Sequence, residues 1–105
     1  MLNTLKRLLA GGPKTDYAAL VKSGAIILDV RTKSEFDMGH IKGSINIPVD
    51  QLGNNLNKLK EKNKAIITCC ASGMRSATAK NILKSKGYTD VHNGGSWSGL
   101  RTKIK

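Results

Sequence analysis

An α/β domain with a mainly parallel central sheet flanked by helices is what this sequence predicts, and three observations carry the prediction. Segments of strand character alternate with segments of helical periodicity along the chain. Two of the strand segments, Ala25–Val30 and Ala65–Cys69, are nearly unbroken apolar runs, the pattern of strands covered on both faces. Glycines follow the helical segments at Gly24, Gly39 and Gly87, where a residue free to turn left-handed closes a helix.

The elements follow in order. Residues 15–24 read as a helix with Thr15 as cap, Asp16 at the positive end, and Tyr17, Leu20 and Val21 on one apolar face. Ala25–Val30 is the first strand, interrupted only by Asp29. Thr32 and Glu35 have the spacing of a capping box, which opens a short helix ending near Gly39. Ser44–Pro48 places Ile45 and Ile47 between polar neighbours in a short strand that Pro48 ends. Asp50 is expected to cap a further helix, with Leu52, Leu56 and Leu59 as its inner stripe and its lysines in water. Ala65–Cys69 is the second buried strand, and residues 75–86 form a helix with Ala79, Ile82 and Leu83 inward. Tyr88–His92 is a last short strand, Gly94 and Gly95 a turn, and Trp97–Ile104 a terminal helix whose indole closes the core.

A chain of 105 residues has room for one such domain, assigned to residues 15–105. Residues 1–14 form an extension in which Leu2, Leu5 and Leu9 can share a helix face. Lys6 and Arg7 break up the apolar core that a secretory signal needs, so a cytoplasmic location is expected. No stretch approaches the roughly 20 apolar residues of a membrane-spanning helix. Eighteen Lys and Arg against seven acidic residues give a formal charge of +11, which gathers anions without choosing among them. Nothing resembles an aromatic stacking platform or a nucleic-acid module, so nucleic acid is not an expected partner.

The two cysteines are neighbours, Cys69 and Cys70, which excludes a disulfide scaffold, and no Cys/His spacing suits zinc. Cys70 stands where a parallel strand ends, the place at which open α/β sheets bind ligands. A thiol is a nucleophile only as thiolate, so some positive field must lower its pKa. Gly73 allows a tight bend, a loop running into a helix N-terminus turns its N–H groups toward its centre, and Arg75 adds a permanent charge. Such a cradle stabilises either a thiolate or an anionic substrate held against it. Counted from Cys70 the motif is CX4R; counted from Cys69 it is CX5R, the spacing of cysteine phosphatases. Strand register favours the first, because Ile66, Ile67 and Thr68 carry the strand through Cys69 and release Cys70 at the bend.

The blocks LDVRTKSEFDMGHIKGSINIPVDQL (Leu28–Leu52) and IITCCASGMRSATAKNILKSKGY (Ile66–Tyr88), with the later GGSW, resemble a single-domain rhodanese from about residue 15 to residue 105. The resemblance implies a three-layer domain with the sheet between helices. It implies a catalytic Cys70 and a loop, Ala71, Ser72, Gly73, Met74, Arg75 and Ser76, that holds a transient persulfide with no other cofactor and no metal. The implied reaction moves sulfane sulfur from a small anionic donor such as thiosulfate to cyanide, or to a thiol or protein acceptor. Many thiosulfate-using members carry a basic residue directly after the cysteine, where this chain has Ala71. A non-catalytic persulfide carrier is the alternative, and a phosphatase using Cys69 a more distant one.

Other residues have plainer readings. Asp29 and Arg31 flank the end of a strand and are expected to support the loop as an ion pair. Cys69 reads as a small buried apolar residue, with a resolving thiol as its functional alternative. His40 and His92 read as structural, Ser72 and Ser76 as sulfur donors or caps, and Trp97 as a core plug.

Overall fold

The computed structural model describes residues 15–105, so the expected N-terminal extension and its helix lie outside the described residues. Helix α1 spans Tyr17–Lys22. Its N-cap is Asp16 rather than the expected Thr15: the Asp16 carboxylate accepts from the Ala19 N–H at 3.0 Å. A carboxylate at this position adds its charge to the capping bond, which favours it over a hydroxyl one residue earlier. Strand β1 is Ile26–Asp29, and Gly24 before it has a φ of 101°, as the chain's reversal requires.

Helix α2, Lys33–Met38, opens on the predicted capping box: Thr32 Oγ1 accepts from Glu35 N, and Thr32 N donates to Glu35 Oε1. Strand β2 is the two residues Ile45–Asn46. The α-helix expected to follow Asp50 is replaced by two 3-10 turns, Val49–Asn54 and Leu56–Lys58, the first entered from Pro48 with no side-chain cap. Gly53, Asn54 and Asn55 explain this correction, since glycine and asparagine are poor helix interiors while 3-10 turns still bring leucines inward. Leu52 and Leu59 are buried as the stripe required.

Strand β3 is Ile66–Cys70, helix α3 Met74–Ser85, strand β4 Val91–Ser96 and helix α4 Trp97–Lys103. Two expectations are corrected here. Strand β3 runs one residue further than predicted and includes Cys70. The glycines read as a turn, Gly94 and Gly95, lie inside β4, which starts later and ends later than Tyr88–His92. A Cβ on Gly94 would sit 2.8 Å from Ile67 Cγ2 and from Thr68 O, so only glycine permits this approach of β4 to β3. Gly95, at φ 80°, accompanies a register shift opposite Thr68 and Cys70.

All four strands are parallel, in the order β2-β1-β3-β4. Alternation along β1 and β3 sends Leu28, Ile66 and Cys70 to one face and Ile27, Ile67 and Cys69 to the other. The first face is covered by Ala79 and Leu83 of α3 together with Leu52, Leu59 and Tyr88. The second is covered by Leu100 and Trp97 of α4 and by Tyr17, Leu20 and Val21 of α1. The result is the expected three-layer α/β domain. Among the described residues no helix is long and apolar enough to cross a membrane.

Candidate active site

The site grows from the junction of β3 and α3. Strand β3 is buried at every residue and carries Cys70 to the carboxyl edge of the sheet. Gly73, at φ 101°, is the N-cap of α3, and this left-handed turn folds residues 71–73 back over the sulfur. The Gly73 amide donates to Cys70 Sγ at 2.9 Å and the Ser76 amide at 3.3 Å, while Ser76 Oγ lies 3.5 Å away. Burial pushes the Cys70 thiol up. The Ser76 hydroxyl and the amides of Ser76, Gly73 and Ser72 more than offset this, so its pKa falls below the ordinary thiol value. The outer loop residues Ala71, Ser72 and Met74 are exposed.

Cys69 has the opposite surroundings. It packs among Ile27, Ile41, Ile67 and Leu100 on the far face, and burial, with the nearby Asp29 charge, pushes its thiol up to about 12. A thiol so protonated is inert near neutral pH, and it points away from Cys70 across the strand. That geometry matches the small buried apolar residue of the sequence reading, and speaks against both a resolving thiol and a phosphatase nucleophile.

Asp29 and Arg31 form the expected buried pair. Arg31 Nη2 lies 2.7 Å from Asp29 Oδ2, Nε donates to both carboxylate oxygens, and the Arg31 amide also donates to Oδ1. Nη1 and Nη2 also donate to the carbonyls of Glu35 and Gly39. Trp97 lies against the same guanidinium, 4.7 Å from Cζ to ring centroid, so the indole seals the core and steadies Arg31. The pair thus ties β1 to α2.

Arg75 directs its hydrogen bonds to Glu35, and its charge reaches the sulfur only through space. Its guanidinium meets Glu35 in a two-pronged bond, Nη1 to Oε1 at 2.7 Å and Nη2 to Oε2 at 3.0 Å. Sequence reasoning placed Glu35 only in the capping box, because a contact across 40 residues leaves no local signal. Asn93 was missed for the same reason. Its Oδ1 accepts from Ser76 Oγ at 2.6 Å and from the Gly95 amide at 3.0 Å, and its Nδ2 donates to Gly73 O. A strand end bearing Asn before paired glycines was the available signal.

The histidines stay outside this cluster. His40 stacks on Phe36, with Nδ1 2.7 Å from Phe36 O, and His92 Nε2 lies 2.7 Å from Asp90 Oδ1. Among the described residues no group of three or more His, Cys, Asp or Glu side chains is placed to hold a metal ion. The arrangement offers one activated thiol beneath inward-facing amides, suited to nucleophilic attack on an electrophilic atom that then remains on the sulfur.

A family model described as Rhodanese-like domain matches residues 13–101. The chain is 35% identical over 69 residues to the thiosulfate sulfurtransferase PspE of Escherichia coli (strain K12), covering 65% of this chain and 66% of that one. It is 32% identical over 85 residues to a tRNA uridine(34) hydroxylase of Aster yellows witches'-broom phytoplasma (strain AYWB), covering 76% of this chain but only 28% of that protein. Among solved structures, the human single-domain sulfurtransferase TSTD1 superposes with a TM-score of 0.72 at 28% identity, over 83% of this chain and 90% of the other. A rhodanese with anions from E. coli gives a TM-score of 0.68 at 31% identity, over 72% and 91%.

Proposed function

The chain belongs to the rhodanese-like domain family, and from that premise we propose that it is a sulfurtransferase that carries sulfane sulfur as a persulfide on Cys70. The observation that supports this most is the placement of the Cys70 sulfur beneath the amides of Gly73 and Ser76. Those donors stabilise the attacking thiolate, and afterwards the terminal sulfur of the persulfide. In the first half-reaction the thiolate attacks the outer sulfur of the donor. The donor's S–S bond breaks, and its electron pair leaves with sulfite when the donor is thiosulfate, or with a thiolate when it is a thiol persulfide. In the second half-reaction cyanide, or a thiol of a small molecule or protein, removes the outer sulfur and restores the Cys70 thiolate. The loop Ala71 to Ser76 frames the persulfide, and the Asp29–Arg31 pair supports the strand end behind it. No metal or organic cofactor enters this scheme.

Similarity to tRNA uridine(34) hydroxylase covers 28% of that protein, so it supports a shared domain rather than a shared reaction. The exposed outer loop gives some support to a second reading, in which the domain hands its sulfur to one protein partner. The test is the intact mass of the protein after exposure to thiosulfate and to cysteine persulfide. One added sulfur on the native chain and on Cys69→Ala, with none on Cys70→Ser, is the expected result. No added sulfur from either donor overturns the proposal. Rapid thiocyanate turnover marks the enzyme, whereas slow turnover with fast transfer to a single protein marks the carrier.

A further inference from the structure

The active loop contains one cation, Arg75, and that cation is already matched to a carboxylate. Both prongs of its guanidinium lie on Glu35, at 2.7 and 3.0 Å. The other arginine at this end of the sheet, Arg31, is buried and matched to Asp29. A chain with 18 basic and seven acidic residues thus places two of those acids against the two arginines of its site. Among the described residues, the donors that reach the sulfur are neutral amides, from Gly73 and Ser76. Ala71, directly after the cysteine, adds no charge.

We propose that Glu35, by holding Arg75, sets the donor preference of the site toward thiol persulfides and against thiosulfate. The inference rests on the sulfurtransferase reading and deepens it. Thiosulfate is a dianion, and its attack by a thiolate brings like charges together and expels a second dianion, sulfite. That reaction needs a free cation near the sulfonate oxygens, because an opposite charge a few ångströms away offsets the repulsion between the two anions. A thiol persulfide carries its single reactive charge on the terminal sulfur. When its protonated form RSSH is attacked, the S–S bond breaks, the electron pair leaves on RS⁻, and the proton stays with the Cys70 persulfide. Neutral amides suffice for that charge distribution. Glu35 acts here through Arg75 and is a positioning residue.

The experiment measures the rate at which thiosulfate and cysteine persulfide each add one sulfur to Cys70, in the native chain, in Glu35→Gln and in Ala71→Lys. Glutamine at residue 35 keeps an oxygen for the Thr32 amide, so the capping box survives while the charge is removed. Ala71→Lys supplies a cation without touching Glu35. Expected are faster loading from cysteine persulfide in the native chain and a rise on the order of tenfold in the thiosulfate-to-persulfide rate ratio in both variants, shrinking with added salt. A purely structural fault lowers both rates and leaves the ratio alone. Equal loading from the two donors, or a ratio unchanged in Glu35→Gln, overturns the inference while leaving the sulfur-carrying role of Cys70 intact; a ratio that rises in Ala71→Lys alone assigns the preference to residue 71 and overturns it likewise. Loading from neither donor overturns that role, and the inference with it.

Discussion

The Ser76 hydroxyl donates to Asn93 Oδ1 at 2.6 Å, and the direction of that bond follows from the Gly95 amide, which donates to the same oxygen at 3.0 Å. An oxygen that accepts from Gly95 is an acceptor for Ser76 as well, and the Gly73 carbonyl, 3.0 Å from the same hydroxyl, is a second acceptor, so the proton is drawn to these oxygens and a lone pair faces Cys70 Sγ at 3.5 Å. The neutral thiol donates to that lone pair. Ionisation reverses the preference, because a hydrogen bond to an anion is roughly twice as strong as a neutral one, and the hydroxyl turns to the sulfur. Ser76→Ala should therefore move the pH midpoint of Cys70 alkylation by iodoacetamide upward. Sulfur loading near neutral pH should fall about three- to tenfold, the scale of one net hydrogen bond. An unmoved midpoint would show that the hydroxyl never turns.

The two adjacent thiols should titrate in opposite directions. Amides and the Ser76 hydroxyl lower Cys70 despite its burial, whereas burial, with the nearby Asp29 charge, drives Cys69 up to about 12. Alkylation of the native protein should consume Cys70 with a midpoint below that of an ordinary thiol and leave Cys69 untouched. Because the folded-state value of Cys69 is raised, the stability it contributes is full below the ordinary thiol range and is lost as pH climbs toward 12. Urea midpoints measured across the alkaline range should fall more steeply for the native chain than for Cys69→Ala.

Asp29 is fully buried and receives the Arg31 side chain and amide together. Removing the carboxylate leaves a guanidinium enclosed with no counter-charge, for which a loss of about 3 to 5 kcal/mol is the usual scale. Asp29→Ala should lower stability by that amount in urea unfolding. Arg31→Met with Asp29→Leu, which removes both charges and keeps the apolar volume, should recover most of it. A double variant no better than the single one would mean that the packing of Arg31 on Trp97, rather than the charge pair, is what matters.

The parts legible in the sequence were those decided over a few residues. The apolar runs at β1 and β3 predicted a parallel sheet, and the Thr32–Glu35 spacing announced a helix start, whereas the register argument for Cys70 assumed a strand ending at Cys69 that in fact runs on through Cys70. What stayed hidden was decided by approach in space. Leu52, Leu56 and Leu59 suit a helix and a pair of 3-10 turns equally well, and the choice fell to Gly53 and its asparagine neighbours. Arg75 read as a free charge because its partner lies 40 residues earlier. Acid titration tests this tie: Arg75 and the Thr32 amide hold Glu35 at about 2. The stability from its lowered pKa is full above the ordinary carboxylate range and lost as pH falls toward 2. Glu35→Gln should flatten the decline in urea midpoint between roughly pH 5, above the ordinary carboxylate range, and about pH 2.

Gly94 offers the sharpest check on how β4 builds the site. Its Cα faces Ile67 Cγ2, Thr68 O and Leu100 Cδ2, and an added methyl would fall 2.8 to 3.0 Å from all three. One of those contacts is backbone, so the clash cannot be relieved by turning a side chain. Forced overpacking of this kind costs about 1 to 3 kcal/mol. Relief requires β4 to move away from β3, and β4 carries Asn93, which holds both the Ser76 hydroxyl and the Gly73 carbonyl. Gly94→Ala should therefore lower stability by that amount and also slow sulfur loading more than a destabilised but folded domain would. Comparison at equal folded fraction with Leu20→Ala, a packing change on α1 away from the sulfur cradle, separates the two effects. Equal slowing in both variants would show that β4 contributes to folding alone.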